Sequence, residues 1–279
     1  MFAEFKHTLR RLRGQIIGWS VGLGLYGLMM VSLFDSIVNI EGFEELMASY
    51  PPELMAFFGD SMLVITTPKG YLDVYYFLYM PVIIGIFAAS VGANLLVGDE
   101  ETGTLDLILA HPVSRMALFW GRWLGFATAT AVILFISWLT WVIPAGSVGL
   151  DLTWIEILRP FIPLYAILLF WGGLALLLSF FLPSARAASM TTASLLVGNF
   201  LLDGLANANE DLKAVTEYLP LHFFQSGGAI TEINVNWLIG LLASALAFAI
   251  LAWLRFKRRD IRVGGEGGWS LSLLRRRTA

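Results

Sequence analysis

Residues 161–182, FIPLYAILLFWGGLALLLSFFL, run without a single charged side chain. A helix needs about 20 apolar residues to cross the hydrocarbon core of a bilayer. This stretch meets that length, so it decides the class of fold. The whole chain agrees with it. Of 279 residues, 57% are hydrophobic and 14% are charged, with a mean hydropathy of +0.73. A soluble domain carries about 25% charged residues.

Five more stretches follow the same rule, at 15–34, 74–97, 123–143, 187–205 and 237–254. The expected fold is therefore an all-α membrane protein with six transmembrane helices. Residues 1–256 form one transmembrane domain, and 257–279 form a basic tail. The stretch 187–205 is the weakest, because Asn199 and Asp203 fall in its second half. Pro81 lies within the second, where a membrane helix tolerates proline by local adjustment. The basic start before 15–34 resembles a signal peptide, but the apolar run is too long and lacks a small-x-small cleavage site. A retained first span is expected.

Lysines and arginines set the orientation. With the N-terminus in the cytoplasm, all but three of the 18 fall inside, the exceptions being Lys69, Arg159 and Lys213. Two thirds of the 21 acids fall outside. An even number of spans with both termini cytoplasmic, in the plasma membrane, fits this asymmetry. Trp120 and Trp123 would mark the inner border of the third span, and Trp138 and Trp141 its outer border, since indole rings favour the headgroup region.

Residues 2–13, FAEFKHTLRRLR, place Phe2, Phe5, Leu9 and Leu12 on one helical stripe beside Lys6, Arg10 and Arg13. That pattern predicts an interfacial helix lying on the inner leaflet. Gly14, Gly18 and Gly22 recur every four residues on the first span, and Gly85, Ala89 and Ala93 do so on the second. Small residues at this spacing let helix backbones approach closely.

Signatures of chemistry are few. The chain has no cysteine, which removes disulfides, thiolate metal sites and cysteine nucleophiles. His7, His111 and His222 form no metal-binding pair, and there is no G-x-S-x-G elbow. There is no G-x-x-x-x-G-K-[ST] phosphate loop, so no nucleotide cofactor is expected on this chain. Asn199 and Asp203 could line a polar path. Asp99, Glu100, Glu101 and Asp106 lack the alternate spacing of a calcium loop and read as a solvated acidic loop.

That acidic loop opens the segment 97–115, VGDEETGTLDLILAHPVSR. Gly103 breaks the preceding helix, and Thr104 can cap a new one. Leu105, Ile108 and Leu109 then share an apolar face at i, i+3 and i+4. Pro112 ends that helix, and Ser114 can cap the next. Such knobs suit a groove on a partner, or they lie on the lipid surface; composition leaves the two even.

The stretch EETGTLDLILAHPVSR, followed by LFWGRWLG, resembles the loop between spans two and three of ABC-2-type transporter permeases. Glu101, Gly103, Thr104, Leu105, Leu109, Pro112, Val113, Ser114, Arg115, Gly121, Arg122 and Gly125 carry the resemblance, and YLPLHFF at 218–224 is similar to the polar outer segment before the last span. The resemblance implies a coupling helix at about 104–111 that docks on a separate ATPase subunit. Glu100, Glu101, Gly103, Thr104, Leu105, Ile108, Leu109, Pro112 and Arg115 are the residues expected to serve that coupling. It also implies two permease halves and two ATPase copies, with ATP and Mg on the partner, in an exporter that moves its substrate outward or between leaflets. A path lined by apolar and aromatic residues would suit a lipophilic substrate such as a drug, antibiotic or lipid. Two other readings compete with it. One is a stand-alone polytopic enzyme acting on lipids, with loop 35–73 or His222, Glu217 and Glu232 at its site. The other is a receptor-like subunit that senses an antibiotic.

Overall fold

The computed structural model describes residues 1–39, 49–51, 64–105 and 114–258, and all regular structure among them is helical. In chain order the helices are α1 (Phe2–Val38), α2 (Pro68–Leu72), a π-helical turn (Asp73–Phe77), α3 (Met80–Asn94) and α4 (Val97–Glu101). There follow α5 (Arg115–Ala145), α6 (Trp154–Leu158), α7 (Phe161–Ser179), α8 (Ala185–Ala208) and α9 (Glu210–Thr216). A 3₁₀ turn (Pro220–Phe224), α10 (Gly228–Thr231) and α11 (Val235–Arg258) complete it.

Five of these segments are long and apolar enough to cross a membrane: Phe2–Val38, Pro68–Asn94, Arg115–Ala145, Trp154–Ser179 and Val235–Arg258. They contain or overlap five of the six expected spans. The sixth, at 187–205, is a helix of 24 residues. That is about 36 Å of helix, but its serines, threonines, Asn199 and Asp203 leave it less apolar than the other five.

The interfacial helix expected at 2–13 is not a separate element. α1 is unbroken over 37 residues, about 55 Å at 1.5 Å per residue. A lone glycine such as Gly14 weakens a helix by only about 1 kcal/mol, which does not break it. The neighbouring helix also gives the extension a seat. α1 and α5 run parallel, and Gly121 and Gly125 of α5 press against Glu4 and Thr8. Leu12 is buried there and Leu9 packs beside it, while Phe2 stays exposed.

α3 and α7 form the middle of the bundle. Of the most apolar window in each span, 61% is buried in Pro68–Asn94 and 67% in Trp154–Ser179, against 28% for α1 and 22% for α11. Backbone touches backbone here: a Cβ on Gly92 would lie 2.2 Å from the carbonyl oxygen of Gly172. The small-residue row of the second span packs as expected. Gly85 meets Leu196 of α8, and Ala89 and Ala93 cluster with Ala175 and Ala188. The row on the first span does not. Nothing lies within 4 Å of a Cβ built on Gly14, Gly18 or Gly22. The close approach of α1 is made instead by Gly24 and Gly27, against Thr140 and Trp141.

Two glycine variants are expected to diverge in detergent melts. Gly92→Ala drives a methyl into the Gly172 backbone, and overpacking of this kind costs about 1–3 kcal/mol. Gly18→Ala meets no neighbour and gains up to about 1 kcal/mol of helix propensity. Equal melting of the two variants would contradict the α3–α7 contact.

At one end of the bundle, bonds between sequence-distant segments close the structure. Asp73 accepts from the Ser226 hydroxyl and from Gly227 N at 2.7 Å. Arg159 donates to the carbonyls of Ile230 and Thr231 at 3.3 and 2.8 Å. Lys69 pairs with Glu156 at 3.7 Å. Tyr71 donates to Met30 O at 2.7 Å, and the buried Tyr76 hydroxyl meets Ser137 at 2.6 Å. Trp141, expected at the membrane border, is fully buried, edge-on to Tyr76 at 5.5 Å. Trp123 is likewise buried. Both indoles are core residues of the bundle.

Candidate functional site

The opposite end of the bundle gathers the basic residues, and the segment 97–115 returns there. α3 ends at Asn94, and the short helix α4 carries the acidic run. Gly103 follows with φ +70°, the left-handed conformation that glycine adopts at no steric cost. The expected break falls where the sequence placed it. Thr104 and Leu105 are helical, where the coupling helix should begin. Residues 106–113, with Ile108, Leu109 and Pro112, lie outside the described residues. Ser114 accepts from Ala117 N at 3.2 Å and caps α5 as expected. The Thr104 hydroxyl donates to Asp99 O at 3.2 Å, and the backbone it would cap lies outside the described residues.

The acidic run is not a solvated loop. Asp99 is held by two guanidinium groups from two other helices. Arg11 of α1 donates through one nitrogen to both carboxylate oxygens, at 2.8 and 2.9 Å. Arg122 of α5 reaches the second oxygen at 2.6 Å. Arg122 also donates to Leu95 O at 2.6 Å, and its Nε lies 3.7 Å from Glu4 of α1. Its side chain is 2% exposed. A lone buried cation costs several kcal/mol, and only good geometry with an acid makes up for it. Two acids and two arginines balance the charge here.

The neighbouring acids are placed differently. Glu100 is buried, at 7% exposed. Glu101 accepts from Ala185 N at 2.6 Å, at the start of α8. A carboxylate at a helix N-terminus satisfies a free backbone N–H and meets the positive end of the helix dipole. At the far side of the segment, Arg115 donates to the carbonyls of Phe256 and Lys257 at 3.4 Å and lies over the Phe256 ring. A cation there suits the negative end of α11. The two flanks of 97–115 are thus fastened to α1, α5, α8 and α11.

Leu105 corrects an expectation. It is 1% exposed and belongs to the main core. It anchors the segment inward and cannot be a knob offered to a partner. A single leucine after a glycine break gives no sign of which way it turns, so the sequence could not show this.

The two candidate path residues sit on α8. Asn199 is buried and accepts from Leu221 N at 3.0 Å, which fastens α8 to the 3₁₀ turn. Asp203 is half-buried. His222 packs against Phe223 and Trp237, with centroids at 5.4 and 5.0 Å. Glu217 and Glu232 are exposed.

The family model of the ABC-2 family transporter protein matches residues 4–261, nearly the whole chain and all of the anchored segment. The chain belongs to the ABC-2 transporter family. No curated protein and no solved structure matches it. An ABC-2 chain is the membrane subunit of a transport system and normally works with an ABC ATPase partner. Membership agrees with the apolar helices, and together they make this a multi-pass membrane protein.

Proposed function

We propose that this ABC-2 chain is one membrane half of an ATP-driven exporter, and that residues 99–115 receive the stroke of the ATPase. The observation that carries this is the fastening of both flanks of that segment. Asp99 grips α1 and α5, Glu101 caps α8, and Arg115 caps α11. A push on residues between these anchors reaches four helices through charged or capping bonds rather than through a slack loop. The basic end then faces the cytoplasm, as the positive-inside rule requires, in the plasma membrane with both termini inside. α8 serves as the sixth span.

Two such halves, alike or similar, enclose a route for a lipophilic substrate. Two ATPase copies carry ATP and Mg, since this chain has no phosphate loop. Asn199 and Asp203 lie at the opposite, acidic end, where the route would open.

Co-purification tests the reading. The tagged chain, drawn from native membranes in mild detergent, is expected to bring a stoichiometric soluble partner with vanadate-sensitive ATPase activity. After reconstitution, ATP should drive loss of a lipophilic probe from the substrate side. A chain that purifies alone, without ATPase activity, would overturn the proposal and return attention to the enzyme and receptor readings.

A further inference from the structure

Between α1, α3 and α5, at the basic end, lies a cavity of about 230 Å³. Its mouth is formed by Arg11 and Gln15, which are exposed, and its floor includes the buried Arg122. Ser90 and Asn94 line its polar side, and Leu12 its apolar side. Arg122 has spent only part of its hydrogen-bonding capacity. Nη1 serves Asp99 and Leu95 O, but the buried Nη2 and Nε have no hydrogen-bond partner. A buried charged donor left without a partner is costly. The Arg–carboxylate quartet is neutral, and α1 also carries Lys6, Arg10 and Arg13 toward the same end of the bundle.

The outer surface of α1 continues this site. Arg11, Gln15, Gly18 and Gly22 follow i, i+4, i+7 and i+11, so they share one helical row. Beyond Gln15 that row is bare backbone with nothing within 4 Å of a Cβ position. A polar recess with an unspent guanidinium therefore lies at the end of a row of bare, exposed backbone on α1.

The geometry points to a binding site for a phosphate group, held as the headgroup of an anionic inner-leaflet lipid. Guanidinium groups favour phosphate through paired, charge-assisted hydrogen bonds. Basic recesses between membrane helices on the cytoplasmic side are suited to such headgroups. The headgroup enters between Arg11 and Gln15 and takes the free donor of Arg122. An acyl chain lies on the Gly18–Gly22 row. The site rests on the membrane placement of the basic end and not on the transport reading.

Native mass spectrometry of the full chain tests it, in mild detergent with equal amounts of phosphatidylglycerol and phosphatidylcholine. The wild type should retain phosphatidylglycerol selectively. Gln15→Glu sets a carboxylate at the exposed mouth and leaves the Arg122–Asp99 pair intact; Gly18→Leu fills the row. Both should weaken retention by about tenfold, ~1.4 kcal/mol. Equal retention by the wild type and Gln15→Glu would overturn the site. Displacement by millimolar inorganic phosphate, with Gly18→Leu unaffected, would overturn the lipid assignment in favour of a soluble phosphate. A Gly18→Leu chain that shifts from dimer to monomer with retention unchanged would overturn it too, giving the row to a second copy. Because the assay needs neither ATP nor a partner, its failure is distinct from failure of the exporter proposal.

Discussion

Replacement of Arg122 by methionine is expected to lower stability by about 3 kcal/mol, the lower end of the range for breaking a buried ion pair. The side chain is 2% exposed and faces two acids. Methionine fills similar volume, so the loss is electrostatic rather than a cavity. Asp99 keeps Arg11, which holds the cost to that lower end. Asp99→Asn alone should also destabilise, because it leaves Arg122 beside only Glu4 at 3.7 Å. The double variant should cost less than the two singles together, with a coupling of about 1–3 kcal/mol. Thermal unfolding of the four proteins in one detergent gives the cycle. Strict additivity would mean that the pair does not interact.

The second large effect separates anchoring from docking. Leu105→Asp should abolish accumulation of the chain, because it buries an unpaired carboxylate where Leu105 is 1% exposed. Even truncation of such a leucine to alanine costs about 2–5 kcal/mol. Ile108→Asp should accumulate and insert normally, yet lose capture of the ATPase partner. Membrane-fraction blots measure accumulation, and pull-downs measure capture. Normal accumulation of Leu105→Asp would contradict its burial. Wild-type partner capture by Ile108→Asp would contradict the docking role of the segment.

Much of this fold was legible as blocks of hydropathy. Residues 161–182 and four other runs correspond to the five most apolar helices. Local signals also held: Gly103 takes the left-handed turn, and Ser114 caps α5. The direction in which a residue faces was not legible. Gly14, Gly18 and Gly22 have the same spacing as Gly85, Ala89 and Ala93, but only the second row meets a neighbour. Period four says that residues share a face; it does not say what that face meets.

The anchors of 97–115 were hidden for a related reason. Arg11 and Asp99 are separated by 88 positions, and Glu101 and Ala185 by 84. Counted along the chain, Arg122 was one more cytoplasmic cation. Burial between α1 and α4 makes it the centre of a neutral quartet. Acids and bases were each visible, but their pairing depends on how three helices pack.

The bonds at the acidic end set an order on biosynthesis. Asp73, Arg159 and Asn199 each bond a segment between 221 and 231. These partners are separated by 154, 71 and 22 positions. Contacts this remote close late, because the chain entropy of long loops must be overcome first. While the ribosome is still upstream of residue 221, a nascent chain can have its early spans inserted and this end unfinished. Membrane quality-control proteases therefore have a window that shuts only after residues 221–231 have been made.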